Sequence, residues 1–94
     1  MAEVDYKQAV NLKPDFDYAL NALGSIYGSQ QKYSEAIIWF QKAVKANPKN
    51  SEAWLNLGLV NLQINDIKSA CESWQKAEKL GNRNAEIFLE KYCR

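Results

Sequence analysis

Apolar and small residues recur along this chain with the period of an α-helix, in blocks separated by short polar breaks. Ala36, Phe40 and Ala43 stand at i, i+4 and i+7, so they share one helix face; Trp54, Leu57, Gly58 and Asn61 do the same one block later. The breaks carry stop and start chemistry. Pro14 and Pro48 end the preceding helices, because proline lacks the amide donor and clashes with the turn before it. Asn50 and Ser51 can cap the helix that follows, and Gly81 falls where a helix closes on a left-handed residue. The pattern predicts helices over Ala2–Leu12, Asp15–Ser29, Ser34–Ala46, Ser51–Ile64, Ile67–Leu80 and Ala85–Cys93, an all-α chain. The connections are short, so consecutive helices should pack antiparallel.

The blocks also repeat. "AIIWFQKAVKANPKNSEAWLNLG", from Ala36 to Gly58, returns as "ACESWQKAEKLGNRNAEIFLEKY", from Ala70 to Tyr92, an offset of 34 residues. At that offset Ala2, Ala36 and Ala70 align, as do Ala9, Ala43 and Ala77. Tyr6, Phe40 and Trp74 are all aromatic, and Leu23-Gly24 matches Leu57-Gly58. A fixed period with small residues in fixed places is the mark of a helical solenoid. Glycine inside a helix costs about 1 kcal/mol of propensity. Gly24 and Gly58 are therefore read as points where two helix axes approach closely, with a large neighbour filling the remaining space.

This pattern resembles the tetratricopeptide repeat family over nearly the whole chain. Asp17–Asn50 is a full copy, with Leu20, Leu23, Gly24, Tyr27, Ala36, Phe40, Ala43 and Pro48 on the family's positions. Ser51–Asn84 is a weaker copy that keeps Trp54, Leu57, Gly58, Ala70, Trp74 and Ala77. It departs at Asn61, where the family has tyrosine, and at Asn82, where it has proline. Residues 1–16 resemble the second half of an earlier copy. Residues 85–94 resemble the helix that closes such arrays, with Lys91-Tyr92 in place of the Leu-Gly pair. The resemblance implies one domain over 1–94, a right-handed superhelical array of antiparallel helix pairs with about six helices. It implies a non-catalytic module that binds a protein or peptide, the first helix of each pair facing a concave groove.

Composition narrows the chemistry. The chain has 94 residues, a net charge of +1, no histidine and two cysteines. Without histidine the commonest general base and metal ligand are both missing, and no motif sets another base beside a nucleophile. No enzyme activity, cofactor or metal is expected. Near-neutral charge argues against a nucleic-acid ligand. The lysines gather at helix ends and outer faces, as a solvated surface does. No apolar run approaches the roughly 18 residues of a membrane span, and the start lacks a signal-peptide pattern if Met1 is the natural one, which leaves the cytoplasm as the default. In that reducing setting Cys71 and Cys93 read as two free thiols packed as small apolar residues. They lie level on antiparallel neighbours, so a bridge also requires their Cβ vectors to face each other. Phe40, Trp54 and Trp74 read as core, and Trp39, off that face, as the one aromatic expected to be partly exposed.

Ser51–Ile64 has more apolar residues than one packing face uses. Ala53, Trp54, Leu57 and Val60 serve the core, while Leu55, Leu59 and Leu62 form a second stripe. The matching stripe one repeat earlier, Asn21, Ser25 and Gly28, is polar or small. Under the resemblance these positions face the groove. The expectation is an apolar floor of Leu55, Leu59, Leu62 and Leu89, bordered by Asn21, Ser25, Gln63 and Glu86, taking an apolar or amphipathic segment of a protein partner. In some members of the family Lys, Arg and Asn clamp a terminal carboxylate. The matching positions here, Asn21, Ser25, Leu55, Leu59, Glu86 and Glu90, do not supply that set.

The alternative is self-association, through the leucine stripe or the first helix, whose repeat partner is missing. An unpaired packing face on Ala2, Tyr6 and Ala9 marks either a contact site or a continuation of the chain. Appending a family-type helix before Ala2 is expected to raise the thermal midpoint and suppress association. Unchanged values for both, by thermal melting and sedimentation, would dismiss the unpaired-face reading.

Overall fold

The computed structural model describes residues 2–94, with side chains from Glu3 onward; the expectations placed on Met1 and on the packing of Ala2 lie outside them. Six helices follow one another: α1 (Ala2–Leu12), α2 (Asp17–Ser29), α3 (Tyr33–Ala46), α4 (Ser51–Gln63), α5 (Ile67–Lys79) and α6 (Arg83–Tyr92). The helix starts shift by one or two residues from expectation at three places. α2 begins at Asp17 because Pro14 and Asp15 form a turn. α3 begins one residue early, at Tyr33. α6 begins at Arg83 because Asn82 is its cap, its side-chain oxygen accepting from the Ala85 amide at 3.2 Å.

α2 packs on α3 and α4 on α5; α3 joins the two pairs, α1 covers α2, and α6 covers α5. The result is an elongated array of 41 × 25 × 16 Å. Each pair closes on a glycine. A Cβ at Gly24 would stand 2.6 Å from the Phe40 ring, and one at Gly58 would overlap the Trp74 indole. Phe40 and Trp74 are fully buried as a result. The turn inside each pair is also repeated. Gln31 and Asn65 both adopt φ +64°, and the amide after each donates back to a carbonyl of the ending helix: Lys32 to Tyr27 and Asp66 to Asn61, each at 2.9 Å. Gly81 closes α5 in the same left-handed region, φ +92°, as its sequence position implied.

Two cores result. One gathers Leu20, Leu23, Phe40, Ala43 and Leu57 across α2, α3 and α4; the other gathers Leu55, Trp74, Ala77, Ala85 and Leu89 across α4, α5 and α6. At the N-terminal end, the Tyr27 hydroxyl donates to Glu3 at 3.3 Å, and the Lys7 ammonium pairs with the same carboxylate at 3.1 Å. The bond from Lys7, followed by that from Tyr27, holds the Glu3 carboxyl below its usual range.

The C-terminal end corrects the free-thiol reading. Cys71 and Cys93 are joined, with Cα atoms 5.9 Å apart, and no cysteine is free. The two residues are level on α5 and α6, and the rotation of α6 that buries Ala85 and Leu89 turns Cys93 toward α5. Arg94 adds ion pairs to Glu90 and Glu78, which raise its guanidinium further. Phe88 and Tyr92 lie against the Trp74 indole, with ring centroids 5.3 and 5.8 Å away. Trp39, expected to be partly exposed, is half-buried and stacks on Tyr27.

Glycine contacts set the first prediction from this fold. Gly58→Ala should destabilise by about 1–3 kcal/mol, because the rigid Trp74 ring cannot yield to the new methyl. Gly28→Ala should instead stabilise by up to about 1 kcal/mol, since its Cβ would meet Val60 and Ala36 only at 3.8 and 3.9 Å. Urea denaturation of both variants checks the opposite signs. A second prediction concerns the bridge, which joins residues 22 apart. Loop-closure entropy for that length gives a loss of about 3 kcal/mol on reduction, read as the difference in denaturation midpoint with and without reductant.

Candidate functional site

α3 holds α2 and α4 side by side, and between them lies an open cleft of about 440 Å³. Its depth comes from small residues. Gly28 on α2 presents no side chain, which leaves room in front of the Val60 side chain, while Phe40, packed on Gly24, closes the bottom of the cleft from beneath. Leu59 and Gln63 form the α4 wall, Ser25 the α2 rim and Tyr33 one end.

A polar network keeps the two walls in register. The Asp17 carboxylate accepts from Asn50 at 2.8 Å and from Asn47 at 3.1 Å, while the Asn50 side-chain oxygen caps α4 by accepting from the Ala53 amide at 3.1 Å. One turn along, Asn56 donates to Asn21 at 3.2 Å. These bonds fix α4 against α2 at their N-terminal ends, and the cleft opens beyond them. The cleft is lined by neutral groups: a serine hydroxyl, two amides, aliphatic carbon and aromatic faces.

The structure brings Ser25, Leu59 and Gln63 together in this cleft, with Asn21 bonded to the neighbouring Asn56. It corrects the expected floor. Leu55 is 6% exposed and Leu89 1%, and both belong to the second core. The cause is the second core: α6, packed on α5, brings Ala85 and Leu89 into one cluster with Trp74 and Leu55, so Leu55 and Leu89 are interior packing. The same stripe one repeat earlier meets α4 through the Asn21–Asn56 bond. Leu62 is half-buried against that second core and Glu86 is exposed on α6, both outside the cleft lining. Sequence reasoning missed Asn56 and Val60 as wall residues and had Gly28 only as the small end of the earlier stripe. Gly28 carried the one usable signal, a helix-interior glycine with no bulky neighbour to explain it.

Comparison with known proteins identifies the repeat and the fold. Residues 24–65 match the profile of the family described as TPR repeat, and residues 51–84 match the tetratricopeptide repeat profile. Anaphase-promoting complex subunit 3 of Schizosaccharomyces pombe is 28% identical over 81 residues, covering 86% of this chain. The general transcriptional corepressor trfA of Dictyostelium discoideum is 32% identical over 76 residues, covering 81%. The chain spans 12% and 6% of the lengths of these two relatives. Among solved structures, the N-terminal domain of stress-induced protein-1 from C. elegans superposes with a TM-score of 0.85 at 17% identity, over 97% of this chain and 78% of that one. That likeness concerns the fold. No helix among the described residues is long and apolar enough to cross a membrane.

Proposed function

Because the chain belongs to the tetratricopeptide repeat family, whose repeats mediate protein–protein interaction, we propose that it is a non-catalytic module gripping a partner's peptide segment in the α2–α4 cleft. The observation that carries this reading is the cleft's construction. Gly28 on α2 leaves an apolar hollow backed by Val60 and, beneath it, Phe40, while Ser25, Asn56 and Gln63 supply hydrogen-bonding groups around it. An apolar side chain of the segment enters the hollow, and the segment's backbone bonds to the rim. The lack of charge in the lining favours neutral, apolar or amphipathic segments over acidic or basic ones.

A second reading, association of two copies through α1, draws on the exposed Val4 and Leu12, with Leu12 88% exposed. Sedimentation over a range of protein concentration separates it from the first.

Selection of displayed random peptides on the immobilised chain tests the cleft. Enriched peptides should carry a large apolar anchor. Leu59→Ser should weaken them by about 10-fold or more, the scale set by losing most of one buried aliphatic side chain, with helical circular dichroism unchanged. Ile87→Ser, on the exposed face of α6, serves as the control and should leave binding as it is. Peptides that bind the Leu59 variant as tightly as the parent would remove the cleft from the reading.

A further inference from the structure

A second cleft, of about 710 Å³, opens on a different face of α4, bounded by α3 and α5. Its origin is visible in the repeat itself. In the first repeat, Tyr27 and Trp39 stack in parallel, centroids 6.4 Å apart and planes 1° from one another. α1 lies over them: Glu3 takes the Tyr27 hydroxyl at 3.3 Å, and the Lys7 ammonium sits 5.6 Å from the ring centroid. One period later the four positions are Asn61, Ser73, Ile37 and Gln41, and all four line the second cleft. Two aromatic rings have been exchanged for two short polar side chains, and the space the rings fill in the first repeat is open in the second.

The floor of this space is polar and deep. Asn61 is 7% exposed and Ser73 5%. Neither side chain is hydrogen-bonded to another described residue. Every side-chain polar atom sealed from solvent, among the described residues, has a partner. The Asn61 amide and the Ser73 hydroxyl therefore open into the cleft. Beside them Ile37, Trp54 and Leu57 give the cleft one apolar wall, and Asp66, Glu72, Lys76 and Lys79 add charged groups to the α5 side, with the Lys76 ammonium 4.7 Å from the Trp54 ring centroid. An aromatic and aliphatic wall on one side of a donor-and-acceptor floor suits a planar ring that carries a hydrogen-bonding tip.

We infer that this cleft receives a tyrosine side chain of a partner peptide, its ring taking the place the Tyr27–Trp39 stack occupies one repeat earlier and its hydroxyl bonding to Asn61 and Ser73. The tyrosine comes from a partner because the five in this chain are engaged elsewhere: Tyr6 and Tyr18 with each other, Tyr27 with Trp39, Tyr33 in the first cleft, and Tyr92 against Trp74. The site is separate from the α2–α4 cleft and stands whether or not that cleft binds a segment.

Nuclear magnetic resonance titration with N-acetyl-tyrosinamide tests it. Saturable shifts are expected at the Asn61 side-chain amide and at the Gln41 and Ser73 backbone amides, with Ser25 and Leu59 unmoved. N-acetyl-leucinamide should give none. The double variant N61Y/S73W, which rebuilds the first repeat's stack, should keep its helical signal and lose the response; S73W alone serves if the double variant does not fold. Shifts at these residues on dilution of the protein alone would assign the cleft to a second copy and overturn the inference. So would no saturable shift up to the probe's solubility limit, equal shifts with the leucine probe, or an unaltered response in whichever variant folds. Failure of both variants to fold would show the space to be already filled, and would overturn it as well.

Discussion

Everything in this array rests on the contact between a glycine and an aromatic ring inside each helix pair. Gly24 lets the Phe40 ring lie directly on the α2 backbone, and Gly58 does the same for Trp74 on α4. A side chain at either glycine would push the axes of the pair apart, and the alanines packed around them, Ala36, Ala43, Ala70 and Ala77, would lose their contacts together. Inter-pair packing depends on this spacing too, because α3 must reach both α2 and α4. The two clefts on either flank of α4 are what that spacing leaves over.

The two repeats share a frame but differ in what fills it. Leu20 and Leu23 of the first are matched by Trp54 and Leu57 of the second, yet Trp54 stays half-buried, its indole donating to the Pro48 carbonyl at 2.9 Å. Trp74 fills the place of Phe40 and spends its N–H on the Leu55 carbonyl at 3.3 Å. A larger ring there extends the second core toward α6, where Phe88 and Tyr92 lie against it. The first pair is flanked by α1 and α4, the second by α3 and α6.

Much of this was legible in the residues. The period, the close-approach glycines, the proline stops and the six helices are local or strictly periodic features, so a single chain displays them. The fate of Leu55 and Leu89 was not legible. A second stripe of leucines reads the same whether it faces a groove or lies under a terminal helix, and only the docking angle of α6 decides. The bridge was hidden for a similar reason: height along two helices follows from residue number, whereas the facing of two Cβ atoms follows from how each helix is rolled. Asn61 was visible as a departure from the repeat. Its pairing with Ser73 becomes meaningful once Tyr27 and Trp39 are seen to stack, since residues 12 apart on different helices carry no periodic signal. Gln31 and Asn65 escaped notice because neither is a glycine, although both take the left-handed turn.

The bridge also gives the array a direction. In a row of helices stabilised mainly by nearest neighbours, opening starts at whichever end is held least. The Cys71–Cys93 bond and the Arg94 ion pairs fasten α6 to α5. At the other end α1 is tied by the Glu3 carboxylate, Lys7 and the Tyr27 hydroxyl, non-covalent contacts at the protein surface. Thermal fluctuations should therefore peel the row from α1 inward, with the oxidised end as the anchor from which it zips closed again.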